Sequence, residues 1–287
     1  HVGGLNIQTT PALQLGATVT IHPRFTPDAM LNAIAQDRST LIVMVPAVMQ
    51  AVIQHPLWAK TDLSCVKAVA AGSTIVPVPL IDAFMQRGVS VVQVYGSTET
   101  GPIAVYTRVG GDLSRTASTG LPGLHCEAKI VDDKGREVPH GTTGEVIVRG
   151  PNVLYEYWGN SQATTEALRD GWYYTGDIGT RDNDGYFYIQ DRKKNMIISG
   201  GENIYPAEVE RVLHEHPCVA EAAVIGRPDP KWQEVPVAYI VCARDKTVEA
   251  EELRDFVGRH LARFKIPREI VFVESLPRTA LGKVQHF

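Results

Sequence analysis

Apolar and polar positions along this chain follow two regimes. From Ala17 to Gly96, short apolar runs of strand length alternate with stretches whose apolar residues recur every three or four positions. That alternation belongs to a parallel α/β sheet. Val19-Thr20-Ile21 predicts a strand, Pro27 to Asp37 a helix with Met30, Leu31 and Ile34 on one face, and Leu41 to Val45 a strand. Helix Pro46 to Gln54, strand Val66 to Ala71, helix Val78 to Arg87 and strand Val89 to Val94 continue the βαβ winding. After Gly120 the pattern becomes β-rich, with Glu127 to Val131 and Gly144 to Arg149 joined through the turn Asp132-Asp133-Lys134-Gly135. Ser161 is expected to cap a short helix. Turns come next at Asp170-Gly171 and at Asp182-Asn183-Asp184-Gly185, then a strand from Tyr186 to Ile189.

The stretch Asp191 to Glu210, DRKKNMIISGGENIYPAEVE, separates this part from the C-terminal third of the chain. Its Ser199-Gly200-Gly201 predicts the turn of a β-hairpin, because consecutive glycines reach backbone angles closed to other residues. Pro206 suits the first turn of a helix, where its missing N–H costs nothing. Beyond it, Val209, Val212, Leu213 and His216 recur at helical spacing. Val219 to Ile225, Val237 to Val241 and Ile270 to Val273 predict strands, and Leu253, Phe256, Val257 and Leu261 stripe a second helix.

Length and composition narrow the picture. The 287 residues exceed the ~250 at which one core usually gives way to two, so two units are expected. The net charge of -4 is uneven: residues 1–190 carry 13 Lys/Arg against 17 Asp/Glu, and residues 191–287 carry 15 against 15. Neither part has the basic face that a nucleic-acid backbone requires, so no nucleic-acid partner is expected. Cys65, Cys126, Cys218 and Cys242 lie far apart without a CxxC pair, which fits reduced thiols in the cytoplasm. No apolar run reaches the ~20 residues of a membrane span. The opening HVGGLN has neither signal peptide nor helix cap, and the expectation is that the chain starts in mid-fold, with an N-terminal part missing.

Three short stretches carry candidate chemistry. YGSTETG, Tyr95 to Gly101, follows an apolar strand, and such a loop at the C-terminal end of a parallel strand is where α/β sheets bind ligands. Its Ser97, Thr98 and Thr100 hydroxyls and the N–H groups beside glycine suit phosphate oxygens, and the Glu99 carboxylate suits a Mg²⁺ bridging them. YTGD, Tyr174 to Asp177, offers a carboxylate for a vicinal diol such as ribose, or else a capped turn. Lys283 follows Gly282 in LPRTALGK and, taken alone, is a solvated lysine. His214-Glu215-His216 is read as a solvated helix end, because histidines at i and i+2 of a helix point apart.

In order and spacing, YGSTETG, TGD, DRKKNMIISGGENIYPAEVE and LPRTALGK together resemble the adenylate-forming superfamily of acyl- and aryl-CoA ligases, adenylation domains and luciferases, and within it FTPDAM, LPGLHCEAKIVDDKGREVPHGTTGEVIVRGP, YWGN and DGWYYTGDIG look most like the acyl-CoA ligases. The resemblance covers the whole chain, with His1-Val2-Gly3-Gly4 matching the family's acyl-pocket segment. It implies an α/β fold: a large AMP-binding domain over residues 1–190, α/β to about 110 and β-rich after about 120, then a small mobile α+β domain over 191–287. It also implies ATP, Mg²⁺ and CoA as cofactors and co-substrates, a small carboxylic acid as substrate, and a homodimer as one assembly state.

By the same resemblance Gly72, Ser73 and Tyr95 line the adenine site, Thr98 touches phosphate and Glu99 holds the metal, with Gly96 and Ser97 counted among the cofactor-binding residues. Asp177 and Arg192 take the ribose, and Lys194 is the hinge. Lys283 contacts the acyl carboxylate and α-phosphate, and Thr98 and Glu99 share the catalytic assignment. Gly200, Gly201, Trp232 and Phe264 belong to the thiol side, while His1 and Ser97 border the acyl pocket. The Lys-bearing phosphate loop that precedes the His segment in this family has no counterpart among the 287 residues, so they are not expected to turn over alone. Asp191 stands where many members carry Gly, a replacement expected to be tolerated, and Ser73-Thr74 replaces a small-residue and Pro pair. Alternatives are an adenylation domain that loads a carrier protein's pantetheine, a non-catalytic AMP-binding homologue, and an oxygenase of the luciferase kind.

Overall fold

The computed structural model describes residues 2–111, 113–278 and 284–285. The chain divides into two compact units, one of His1–Thr175 with Gly179–Ile189, the other of Gly176–Ile178 with Gln190–Phe287. Among the described residues no helix is long and apolar enough to cross a membrane.

The first unit begins with helical turns over residues 2–14 and then winds α1 (Pro27–Asp37), β1 (Leu41–Met44), α2 (Pro46–Gln54), β2 (Ala68–Gly72), α3 (Val78–Met85) and β3 (Ser90–Tyr95). Each of these helices has a proline in its first turn, and the Thr26 hydroxyl caps α1 by accepting from the Ala29 N–H. Strands β1, β2 and β3 are parallel neighbours, and Leu31, Met49, Val52, Val69, Ile81 and Phe84 close the core beneath them. Burial of each such large side chain contributes about 1.5 to 3 kcal/mol.

One expectation fails here. Residues 19–21 form no strand, and Ile21 is exposed; an extended segment becomes a strand only when a neighbour pairs its N–H and C=O groups. The parallel winding over residues 17–96 stands, and past it β4 (Val105–Tyr106) and β5 (Leu121–Pro122) extend the sheet antiparallel at its β3 edge.

A second sheet takes β6 (Glu127–Val131), β7 (Gly144–Arg149), β8 (Leu168–Arg169), β9 (Trp172–Arg181) and β10 (Phe187–Arg192), in the order β10-β9-β7-β6 with β8 on β9. Helix α4 (Ser161–Ala167) precedes β8. Its cap is Asn160, whose side chain accepts from the Ala163 N–H at 3.0 Å, and Ser161 is the first helical residue instead.

The second unit carries its own core on a largely antiparallel sheet. Strands β11 (Ile197–Ser199) and β12 (Glu202–Ile204) form the expected hairpin about Gly200-Gly201, and α5 (Pro206–His214) opens at its proline. Long strands β13 (Val219–Asp229) and β14 (Gln233–Cys242) pair antiparallel, α6 (Ala250–His260) comes next, and β15 (Glu269–Phe272) lies parallel to β14. Val209, Val212 and Leu213 of α5 meet Leu253 and Val257 of α6 over Val224, Ala238 and Ile240. His216 is not solvated: it is 6% exposed, edge-on to Phe256, and its Nδ1 accepts from the Cys218 N–H. A position just past a helix end is buried or exposed by what neighbouring elements bring against it, and here α6 covers it.

Candidate functional site

Because β2 and β3 are parallel neighbours, their C-terminal ends lie side by side. Gly72 closes β2 in register with Val94, and a Cβ there would run into the Val94 carbonyl. Ser73 leaves the strand with a φ of 76°, a conformation few non-glycine residues hold without support from their surroundings. Tyr95 closes β3, and Thr98–Thr100 form a single tight helical turn that brings the backbone back on itself. A Cβ on Gly96 would overlap the Pro102 carbonyl. The Gly101-Pro102 bond is cis.

Within this loop Thr100 is fully buried, and its hydroxyl accepts from the Ser97 N–H at 2.8 Å. Thr98 is exposed. The Ser97 hydroxyl oxygen is buried and has no hydrogen-bond partner among the described residues, a condition that a bound ligand relieves.

Glu99 is held by a segment more than fifty residues further along the chain. Its Oε1 accepts from the Tyr157 hydroxyl at 2.9 Å, and its carbonyl accepts from the Leu154 N–H at 2.7 Å. Asn152 Nδ2 donates to the Thr100 carbonyl at 2.7 Å and lies 3.3 Å from that of Ile103. Burial pushes the Cys126 thiol up, so it stays protonated and donates to Asn152 Oδ1 at 3.1 Å. Burial also raises the Tyr157 hydroxyl, as does its bond to Glu99, since losing that proton would set two anions together.

The second unit gathers another set. YTGD runs through the middle of β9 and is no capped turn; Gly176 takes a φ of 69°, and the Asp177 carboxylate behind it is 7% exposed. Asp177 Oδ1 pairs with Arg192 Nε at 2.7 Å, so the two residues expected on one diol are adjacent. Lys194 is exposed in the turn Lys193–Asn195. Beside this turn, Gly176 and residues 192–194 line a cleft of about 340 Å³. At the hairpin, the Gly200 N–H donates to the Trp232 carbonyl at 2.8 Å, and the Trp232 ring covers Gly200. Phe264 is 39% exposed beside Lys265, whose Nζ reaches Glu208 at 2.6 Å. His1 and Lys283 lie outside the described residues.

Asp191 is buried and structural. Its Oδ1 accepts from the Arg192 N–H at 2.6 Å and its Oδ2 from the Ala207 N–H at 2.8 Å, which satisfies a donor in the first turn of α5. Burial raises its carboxyl above the ordinary range. Sequence reasoning treats this residue as a tolerated replacement and misses Tyr157 and Asn152 altogether. The YWGN stretch is the available signal for Tyr157, but a contact spanning 58 positions has no local signature. Among the described residues no cluster of three or more His, Cys, Asp or Glu could hold a metal ion by itself. A single carboxylate still fits Mg²⁺, which is usually held by one or two carboxylates together with substrate phosphates and water.

A parallel sheet with a polar, glycine-bearing loop at its C-terminal edge and a separate α+β unit is the architecture of the adenylate-forming proteins. A model of the family described as AMP-binding enzyme matches residues 1–158, and one described as AMP-binding enzyme C-terminal domain matches residues 208–283. The chain belongs to the family of AMP-binding enzymes. It is 51% identical to an indoleacetate–CoA ligase of Aromatoleum aromaticum over 99% of its own length and 56% of the relative's. It is 42% identical to a feruloyl-CoA synthase of Amycolatopsis sp, over 99% and 58% of the two lengths. Among solved structures, the o-succinylbenzoate CoA synthetase of Bacillus subtilis, in complex with the acyl-adenylate OSB-AMP, superposes with a TM-score of 0.90 at 37% identity. That match covers 99% of this chain and 57% of the other. The chain thus spans somewhat over half the length of the relatives it matches.

Proposed function

We propose that the protein is an ATP-dependent acyl- or aryl-CoA ligase, which joins a carboxylic acid to ATP as an acyl-AMP and then passes the acyl group to the thiol of CoA. The observation that carries this reading is the edge of the parallel sheet, where Gly72, Ser73 and the Tyr95 to Glu99 loop stand together with a buried Ser97 hydroxyl that has no hydrogen-bond partner among the described residues. Indoleacetate, ferulate and succinylbenzoate are the acids named for the similar ligases, and they favour an aromatic acid here.

Two anions must meet in the first half-reaction. Glu99 would hold a Mg²⁺, which when bound would offset charge on the phosphates. Lys283, by the resemblance, would supply an ammonium as the acyl carboxylate attacks the α-phosphorus and pyrophosphate leaves. Thr98 and the loop N–H groups orient the phosphates, Gly72, Ser73 and Tyr95 bound the adenine, and Asp177 and Arg192 take the ribose hydroxyls. By the resemblance, His1 and Ser97 would border the acyl group.

Thiol attack then expels AMP and needs no such ammonium. A rotation of the small unit about residues 191–194, with Lys194 as pivot, would withdraw Lys283 and present the Gly200, Gly201, Trp232 and Phe264 face to the pantetheine arm. The four free thiols and the need for ATP and CoA fit the cytoplasm. Turnover is expected to need the family's Lys-bearing phosphate loop, which no stretch of these residues resembles.

The test is mass spectrometry of thioesters made by the full-length protein from ATP, CoA and a mixed set of aromatic and fatty acids. An aryl-CoA product supports the proposal. Acyl-AMP that loads only a carrier protein would replace CoA as acceptor, and no adenylate from any acid would leave a non-catalytic AMP-binding homologue. Lys283→Ala should reduce pyrophosphate formation roughly 10²-fold or more, while thioester formation from supplied acyl-AMP persists. Equal loss in both half-reactions would remove Lys283 from this role.

A further inference from the structure

The 152–157 segment grips the loop at the sheet edge from outside. Asn152 Nδ2 bonds the Thr100 carbonyl at 2.7 Å, the Leu154 N–H bonds the Glu99 carbonyl at 2.7 Å, and the Tyr157 hydroxyl bonds Glu99 Oε1 at 2.9 Å. Of these, only the bond from Tyr157 reaches the carboxylate itself; the other two hold backbone.

Tyr157 is in turn fixed at both ends. Its N–H donates to Thr164 Oγ1 at 3.0 Å, and that hydroxyl donates to the Asn160 carbonyl at 2.9 Å, so the start of α4 sets where the tyrosine stands. Its hydroxyl also meets that of Tyr173, a buried residue of β9. A side chain anchored by its backbone and tied at its tip has little rotamer freedom. A glutamate left to itself has a great deal, and a metal-binding carboxylate must be held within about 0.5 Å of its working position.

We propose that Tyr157 is the positioning residue that orients the Glu99 carboxylate toward the metal ion of a bound metal–nucleotide complex, with Asn152 holding the backbone of the same turn. The inference rests on the proposed assignment of Glu99 as a Mg²⁺ ligand. It concerns the affinity for the metal–ATP complex and predicts no effect on the thiol step, which involves no triphosphate. Hydrogen-bond partners of metal ligands typically change metal affinity or activity by about 10- to 100-fold when removed.

The experiment uses the full-length protein and a double-mutant cycle of Tyr157→Phe and Glu99→Gln, with Mn²⁺ as the probe ion. Mn²⁺ binding in the presence of ATP is read by electron paramagnetic resonance, and the Mg²⁺ dependence of pyrophosphate release is read in parallel. For Tyr157→Phe we expect the Mn²⁺ dissociation constant and the half-saturating Mg²⁺ both to rise about 10-fold, with thioester formation from supplied acyl-AMP unchanged. In the Glu99→Gln background the second substitution should change metal binding no further, since its target is gone. A mutant with wild-type metal affinity overturns the inference and leaves the ligase reading intact, as does an equal added loss in the Glu99→Gln background. If wild type binds Mn²⁺ no better with ATP than without, both fall together. A wild type that binds metal–ATP and shifts as expected in Tyr157→Phe, yet makes no adenylate, keeps the positioning role and removes the ligase. A protein whose thermal transition drops with Tyr157→Phe while metal affinity holds shows a purely structural tyrosine and overturns it.

Discussion

The loop after β3 and the turn of the β11–β12 hairpin both depend on glycine, for different physical reasons. In the loop, Gly96 is needed because the backbone folds against itself: a Cβ would overlap the Pro102 carbonyl and stand 2.6 Å from Thr100 Oγ1. Neighbouring segments then cross-link that loop through Asn152, Leu154 and Tyr157. In the hairpin turn Gly201 has a φ of 89° and open space around it, and Gly200 has a φ of 59° beneath the Trp232 ring. The first site is closed by backbone and the second by angle and one movable side chain. A segment closed by backbone is held at fixed positions, whereas one closed by angle and a side chain can adjust.

Gly96→Ala should break the stiffer region outright. Displacing the loop by about 1 Å is enough to cost roughly 10²-fold in rate, so ATP-dependent pyrophosphate formation should fall by that order in the full-length protein. Near-normal turnover would show that the loop gives way more easily than its packing implies. Lys194→Pro probes the turn that leads into the β11–β12 hairpin. Lys194 is the middle residue of an exposed turn, and proline fixes φ near -65°. One half-reaction should persist and the other fall about 10-fold or more, because a bias of about 1.4 kcal/mol between two orientations is already tenfold. Unchanged rates in both would move the pivot elsewhere.

The two hairpin glycines sharpen the comparison. Gly201→Ala bears only the cost of its backbone angle and should destabilise the small unit by about 1 kcal/mol. Gly200→Ala adds a Cβ 2.7 Å from Trp232 Cε3, so it should cost more and also shift the tryptophan fluorescence. Equal costs with unchanged fluorescence would mean that the ring does not rest on Gly200 in solution.

The smallest effect concerns Asp191. Its folded carboxyl lies above the ordinary value of 3.8, mainly through burial. A raised acid contributes its stability below the unfolded pKa and loses it as pH rises through the folded one. The stability of wild type relative to Asp191→Asn, read by denaturant unfolding from the ordinary carboxylate range up to neutral pH, should therefore decline as pH rises. A difference that grows with pH would show that the N–H groups of Arg192 and Ala207 outweigh burial.

Much of the local structure was legible because it is local. The boundaries of α1 and α2, strands β6 and β7, and the Gly200-Gly201 turn come from periodicity, proline and glycine, whose effects act within a few residues. The ends of β2, β3 and α3 shifted by one or two positions, as hydrogen bonding to neighbours trims each element. Val19 to Ile21 failed for a related reason, since apolar alternation marks a segment able to pair without supplying its partner.

The site divides in the same way. The order of residues by itself determined the motifs, their reactive groups and the family to which they belong, because side-chain type and spacing are properties of the chain. Only the tertiary structure decided that Tyr157 reaches Glu99, that Asn152 holds Thr100, that Asp191 caps α5 and that His216 is buried. Each of those depends on where sheets and helices bring distant segments together, and a hydrogen bond exists only at a distance that the sequence does not contain.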